Sequence, residues 1–180
     1  MAKFFKTALS FTKNIKTTGA IGETSRFVEE EITSQVFPDQ KQLIVEFGAG
    51  HGNITKAILN KMHPESRLIA FEVEDTFLDE LQKIKDSRLR LELISAGEIV
   101  NIAGAGSVDC IVSSIPITII PKEVRNDILE KARQALKPGG TFTQVLYSKK
   151  LPLFKQYFNV IDCKLVLNFP PAFLHFCVKV

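Results

Sequence analysis

What this chain has little of excludes several functions at once. Its three cysteines, Cys110, Cys163 and Cys177, form no CxxC pair, so neither a zinc site nor a disulfide framework is indicated, and each falls in an apolar strand-like run as a buried thiol would. The three histidines, His51, His63 and His175, have no metal-ligand spacing, so no metal is expected. No apolar stretch reaches the roughly 20 residues that a membrane-spanning helix needs. Lysines interrupt the apolar residues of MAKFFKTALSFTKNIK, so it does not read as a signal peptide. Internal repeats and low-complexity segments are missing too. The net charge of +3 is too small to imply nucleic-acid binding. Acidic residues, finally, are missing from positions 1–20, which hold Lys3, Lys6, Lys13 and Lys16.

What is present is an ordinary globular composition, 45% hydrophobic and 24% charged over 180 residues, enough for one cored domain. From about residue 40, short apolar runs alternate with helical patterns. The runs are LIVEF (43–47), RLIAFEV (67–73), LRLELI (89–94), DCIVSSI (109–115) and TFTQVLY (141–147), as expected of strands covered on both faces. Ile54, Ile58 and Leu59 have helical spacing, as do Val124, Ile128, Ala132 and Leu136, bracketed by Pro121 and by Pro138-Gly139-Gly140. Such alternation predicts a parallel, doubly wound α/β sheet of Rossmann-like design with a five-strand core. The tail departs from it. Runs 157–169 and 172–180 meet at Pro170-Pro171 with no room for a crossover, which predicts an antiparallel C-terminal hairpin.

In such sheets ligands lie beyond the carboxyl ends of the strands. There the first run leads into Gly48-Ala49-Gly50-His51-Gly52, preceded by Glu46 and Phe47, with a helix expected near Asn53. The dinucleotide pattern GxGxxG is not met, and Glu46 would repel a pyrophosphate at a helix N-terminus. A nucleoside carrying a cationic amine and no phosphate fits better, and S-adenosylmethionine (SAM) is one. Glu46 would favour its cationic end. Glu72, next to Val73 at the end of the second run, stands where an acidic residue meets ribose hydroxyls and can accept from both. Ser113, at the end of the fourth run, is expected to border the cofactor. His51 reads as a tolerated loop side chain.

With these features the chain resembles the class I SAM-dependent methyltransferases over residues 40–180. GAIGETSRF (19–27), VEFGAGHGNIT (45–55), AFEVE (70–74), VSSIP (112–116), LKPGGTFTQVLYS (136–148) and NFPPAF (168–173) together look like bacterial phospholipid N-methyltransferases. The resemblance implies methyl transfer from SAM, leaving S-adenosylhomocysteine, to the amine of phosphatidylethanolamine at the cytoplasmic face of a membrane. The rRNA adenine dimethylases are similar around the glycine loop. Their fourth-strand motif ends in an aromatic that stacks on a flipped base, whereas Ser114-Ile115-Pro116-Ile117 offers none. RNA or a small molecule remains the alternative acceptor, and a SAM-binding or membrane-surface module without turnover is the non-enzymatic one. Many relatives accept the adenine amine on an acidic residue after the third strand. Here the segment is Ser95-Ala96-Gly97-Glu98, so Ser95, the Ala96 backbone or Glu98 would have to serve.

Two domains of unequal size are expected, a basic amphipathic segment over 1–38 and the methyltransferase domain over 39–180. Phe4, Ala8, Phe11 and Ile15 share a helical face opposite Lys3, Lys6 and Lys13, so residues 3–16 either contact an anionic membrane or cover the pocket. Four lysines at about 1 kcal/mol each give only about millimolar attachment, so the phenylalanines must add burial and the binding would be peripheral and reversible. For the acceptor, Ser114 and Tyr147 are expected to position the amine, Pro116 to shape its site, and Lys149 and Lys150 to meet a lipid phosphate.

Overall fold

In a computed structural model, residues 24–147 and 151–180 are described. The N-terminal segment 3–16, Lys149 and Lys150 therefore lie outside the described residues. The elements run α1 (Arg26–Ile32), β1 (Leu43–Phe47), α2 (Asn53–Lys61), β2 (Arg67–Phe71), α3 (Leu78–Leu81), β3 (Leu89–Glu92), α4 (Ile99–Ala103), β4 (Val108–Ser113), α5 (Lys122–Ala135), β5 (Leu136–Leu146), α6 (Leu151–Phe154), β6 (Asn159–Val166) and β7 (Ala172–Val178). The sheet order is β3-β2-β1-β4-β5-β7-β6. β1 to β5 are parallel, and β7 is antiparallel to both β5 and β6. This is the expected doubly wound sheet with its terminal hairpin, β7 being inserted between β5 and β6.

Alternation along the strands sends successive side chains to opposite faces. Val45, Phe47, Ile69, Phe71, Ile111 and Phe142 pack with Ile99, Ile128, Leu129 and Ala132 on the α4–α5 side. Ile44, Leu68, Val112, Leu174 and Phe176 pack with Val28, Ile32, Ile54 and Ile58 on the α1–α2 side. Glu46 lies between Val45 and Phe47 on β1 and therefore belongs to the α1–α2 side.

Several boundaries differ from the expected ones. The second, third and fourth strands end at Phe71, Glu92 and Ser113, because their last expected residues turn into the loops of the crevice. Leu136 is not helical. It caps α5 with extended backbone and opens β5, and Pro138-Gly139-Gly140 is accommodated by a register shift opposite Val108 and Cys110. Two-sided cover also fails at the sheet edges: β3 is only partly buried, and β6 is largely exposed on both faces. Cys163, on β6, is accordingly only half-buried, whereas Cys110 and Cys177 are buried. Among the described residues no helix is long and apolar enough to cross a membrane.

Candidate active site

The glycine loop leaves β1 at the carboxyl edge of the sheet, and its three glycines, all at positive φ, do different work. A Cβ on Gly48 would come within 2.9 Å of Ile115 and 3.3 Å of the Ser114 hydroxyl, so this glycine permits close contact between the β1 and β4 loops. On Gly52 it would come within 2.7 Å of Ile84, so that glycine serves packing against the segment after α3. Over Gly50 nothing lies within 4 Å, and this open backbone is the part of the loop a ligand can approach.

Glu72 holds the loop. Its Oε2 accepts the Gly50 N–H at 2.8 Å, and its Oε1 accepts the N–H groups of Val73 and Glu74 at 2.8 and 2.9 Å. A carboxylate has about four lone-pair sites. With three backbone donors engaged, Glu72 has room for one hydroxyl as it stands. The expected grip on both ribose hydroxyls requires the Gly50 N–H to be exchanged for the second.

Glu46 is fully buried on β1. Its Oε2 accepts the Thr55 hydroxyl at 2.6 Å, from the first turn of α2, while its Oε1 has no hydrogen-bond partner among the described residues. Burial pushes its carboxyl up to about 7; the Thr55 bond works against this, and the nearby Glu72 charge adds to it. A buried carboxylate oxygen without a donor is costly, and a cation or a hydrogen-bond donor would relieve it.

Gly48, Phe71, Glu72, Val73, Ile94, Ala96 and Ile115 line one cleft at the ends of β1, β2, β3 and β4. Four of these, Gly48, Glu72, Val73 and Ala96, were expected from the sequence. Phe71, Ile94 and Ile115 were not, because apolar residues at strand ends read as core. Val73, Ile94 and Ile115 give the cleft an apolar slot of the kind that takes a flat ring. Ser95 is not on its wall: its hydroxyl accepts the Gly97 N–H at 3.1 Å and caps the turn there. Glu98 does not reach back, since it accepts from the Asn101 amide at 2.6 Å. Ala49 is buried against Ala70 and Leu81. A wider groove, between α1 and α2 and lined by residues including Arg26, Glu29, Lys56 and Lys61, contains no residue of the glycine loop. The fully buried Glu46 lines neither this groove nor the cleft, so of the two carboxylates only Glu72 is on the cleft wall.

Other expected site residues take different places. The Phe47 ring is in the core, edge-on to Phe71, and its carbonyl accepts the Ser114 N–H at 3.0 Å. Ser113 is fully buried, and its hydroxyl has no partner among the described residues. The Ser114 hydroxyl donates to the Gly48 carbonyl at 2.7 Å, which ties the β4 loop to the glycine loop. Pro116 opens a turn, its carbonyl accepting the Ile119 N–H at 3.0 Å. Ile117 is fully buried in the core, so neither its size nor its chemistry reaches the crevice. Tyr147 follows β5 and packs against the α1–α2 side, where burial raises its hydroxyl pKa and keeps it protonated at neutral pH. His51 is held outside by Glu80 at 2.8 Å and by an edge-on contact with Phe77, which fixes the loop to the segment leading into α3.

Sequence reasoning missed Gln144. It is fully buried on β5, beside Ser113 in the register, and its amide donates to the Ile115 carbonyl at 3.0 Å. Gln144 thereby fixes the loop that forms one wall of the cleft. A polar residue within a buried strand was the available signal.

Sheet order and a glycine–carboxylate crevice at the ends of β1 and β2 define a class I methyltransferase architecture. Residues 44–140 match the family described as methyltransferase domain, and the chain belongs to that family. It is similar to the ornithine lipid N-methyltransferase of Singulisphaera acidiphila, with 26% identity over 188 residues covering 98% of this chain and 96% of that protein. Among solved structures it resembles the 1,6-didemethyltoxoflavin-N1-methyltransferase of Burkholderia thailandensis, with a TM-score of 0.72, 14% identity, and coverage of 98% and 87%. Spermidine synthase from Thermotoga maritima has a TM-score of 0.68 at 15% identity, covering 86% of this chain and only 60% of that one. The fold alone thus leaves the acceptor open. The protein is a SAM-dependent methyltransferase.

Proposed function

We propose that the protein methylates the headgroup amine of a membrane lipid, phosphatidylethanolamine in the first instance. The observation that carries this reading is the nearly end-to-end likeness to a lipid N-methyltransferase. The sequence Ser114-Ile115-Pro116-Ile117 supports it further, because it lacks the aromatic with which the adenine-methylating motif ends. An ornithine-lipid amine is the second acceptor, favoured by that relative's own substrate.

The residues present fit SAM. Glu46, with a buried oxygen lacking a donor, would hold the cationic amino-acid end; Glu72 would meet the ribose; the slot of Val73, Ile94 and Ile115 would take the adenine. The Gly50 backbone leaves room for the ligand between them. When bound, SAM supplies a methyl group made electrophilic by its sulfonium. The chain's part is to present a neutral amine in line with it, and orientation of this kind lowers a two-substrate barrier by about 7–11 kcal/mol.

Because the Ser114 proton is engaged with the Gly48 carbonyl, Ser114 can only accept from the acceptor amine. Accepting an amine N–H there turns the nitrogen lone pair away from Ser114 and toward the crevice. The Tyr147 hydroxyl has no partner among the described residues and stays protonated, so it acts as a hydrogen-bonding group and not as the base. The amine gives its proton to solvent water before attack, and burial favours the neutral form that remains. Lys149 and Lys150, which follow Tyr147 and Ser148 in the sequence, are assigned by that position to a lipid phosphate.

Incubation with methyl-labelled SAM and separate pools of phosphatidylethanolamine, ornithine lipid, RNA and small amines tests the reading. Label in either lipid pool is the expected result, and which one identifies the headgroup. Label confined to RNA or to small amines refutes it.

A further inference from the structure

Resting on the lipid acceptor proposed above, we infer that the β6–β7 loop is a membrane-inserting element that seats the crevice on an anionic bilayer. Leu165, Leu167 and Phe169 are 66%, 77% and 95% exposed, and this density of bare apolar side chains is unusual for a surface that faces only water. The loop's position gives the exposure its meaning. β6 runs parallel to β5, since β7 is antiparallel to both. Leu146 pairs with Phe173, and Val166 with Ala172, so residues 167–171 lie at the carboxyl end of the sheet. The glycine loop leaves β1 at that same end.

The loop is braced. The Ser25 N–H donates to the Asn168 side chain at 3.0 Å, the Ser25 hydroxyl donates to the Leu167 carbonyl at 2.7 Å, and the Asn168 amide donates to the Pro170 carbonyl at 3.0 Å. The two bonds from Ser25 join it to the start of α1, whose Phe27 is 58% exposed. Two of the loop's carbonyls, those of Leu167 and Pro170, are hydrogen-bonded within this brace, and its exposed apolar side chains suit entry into the headgroup region.

The lipid acceptor proposed above makes the occupant a bilayer, and the lysines of the flanking sequence favour an anionic one. Residues 1–20 carry four lysines and no acid, and the sequence continues through Ile21-Gly22-Glu23 to Thr24, beside the Ser25 that is bonded to this loop; of the acids that follow on α1, Glu31 is paired with Lys164. Lys149 and Lys150 come after Tyr147 and Ser148 beyond the end of β5, whose Leu146 pairs with Phe173. Two lysine-bearing stretches of the sequence thus lead into described residues, Thr24 and Tyr147, that neighbour this loop's partners Ser25 and Leu146. Ile161, 56% exposed at the other end of β6, falls outside it.

The test uses the full chain and vesicles of phosphatidylglycerol and phosphatidylcholine, which offer no methylatable amine. L167S/F169S should partition about 100-fold more weakly, at about tenfold for each apolar side chain withdrawn from burial. I161S should match the parent, and SAM affinity should be unchanged in both, which shows that they fold. The chain has no tryptophan, so F169W is a single fluorescent reporter. Its emission should shift to the blue on vesicles and be quenched by brominated acyl chains. Full partitioning by L167S/F169S, or an F169W spectrum unmoved by vesicles, overturns the inference. Self-association without vesicles that the same pair abolishes also overturns it, by assigning the patch to contact between copies. Methylation of detergent-dispersed lipid is scored separately. Vesicle binding through the loop with no lipid methylated removes the acceptor reading and leaves the docking surface standing.

Discussion

Replacing Glu46 by Gln tests the cofactor site through two observables of opposite sign. Burial raises the Glu46 carboxyl from its ordinary value of 4.5 to about 7. A carboxyl with a higher pKa folded than unfolded binds its proton more tightly in the native state. Its contribution to stability is therefore fully present below about pH 4.5 and is lost as pH rises through about 7. Over that whole window the difference amounts to roughly 3 kcal/mol, of which roughly 2 kcal/mol falls between about pH 5.5 and about pH 8. The amide of E46Q keeps an oxygen for the Thr55 hydroxyl and cannot ionise. Without SAM, E46Q should thus gain roughly 2 kcal/mol on the parent between those pH values, read from urea unfolding at each. SAM affinity should move the other way. Losing a charge-assisted hydrogen bond of about 1.5–3 kcal/mol weakens binding by about 10- to 100-fold. The parent's affinity should also fall several-fold from about pH 7.5 to about pH 6, as Glu46 takes up its proton, while that of E46Q stays flat. Calorimetry measures both. Equal affinities, or stability differences independent of pH, would refute the assignment of Glu46 as the cationic-end partner.

Gly48→Ala should cost more than about 1 kcal/mol in unfolding experiments, since φ is positive and the new Cβ meets Ile115 at 2.9 Å. Gly50→Ala has open space above it, so its larger effect should be on the Kd for SAM. Ser114→Ala, by releasing the tie to Gly48, and Tyr147→Phe should each lower kcat about tenfold or more on a lipid acceptor with the Kd for SAM less affected; full activity in both would refute their positioning role. Gln144→Leu removes the donor to the Ile115 carbonyl and should raise KM through a loosened β4 loop, while Gln144→Glu, which cannot donate when ionised, should not rescue it.

The strand–helix order, the parallel core and the terminal hairpin were legible in the sequence because each rests on local patterning. Runs such as LIVEF alternate around a buried core, and Pro170-Pro171 leaves no length for a crossover. The glycine–carboxylate crevice was legible for the same reason, since Gly48, Glu46 and Glu72 are fixed by their places at strand ends. What pattern could not give was direction and partnership. Phe47 and Glu46 are neighbours, yet they face opposite sides of the sheet, so only one of them can be a ligand's side-chain partner. Ser95 and Glu98 are spent on local bonds that composition does not reveal. Ile94 and Ile115 resemble core residues, and only their position at the rim turns them into a pocket wall. Exposure on β6 followed from β7 taking the inner place, a choice of strand order that hydrophobic runs do not specify.

The bonding of Glu72 bears on how the loop responds to its ligand. The carboxylate collects three backbone N–H groups, one of them from Gly50, the glycine with open space above it. Two ribose hydroxyls would bring the donors to five against about four lone-pair sites. One donor must leave, and the Gly50 N–H is the one whose backbone is unhindered; those of Val73 and Glu74 are bound to Glu72 by adjacency in the chain. Cofactor binding should therefore detach Gly50 from Glu72 and leave the other two bonds in place. Amide exchange read by NMR distinguishes the outcomes: the Gly50 N–H should lose protection or shift on adding SAM, with Val73 and Glu74 unchanged. Glu72→Gln, with one acceptor oxygen in place of two, should show a weakened Gly50 bond even without cofactor and bind SAM about 10- to 100-fold more weakly. A Gly50 amide that stays protected in the saturated complex would mean that Glu72 takes a single hydroxyl.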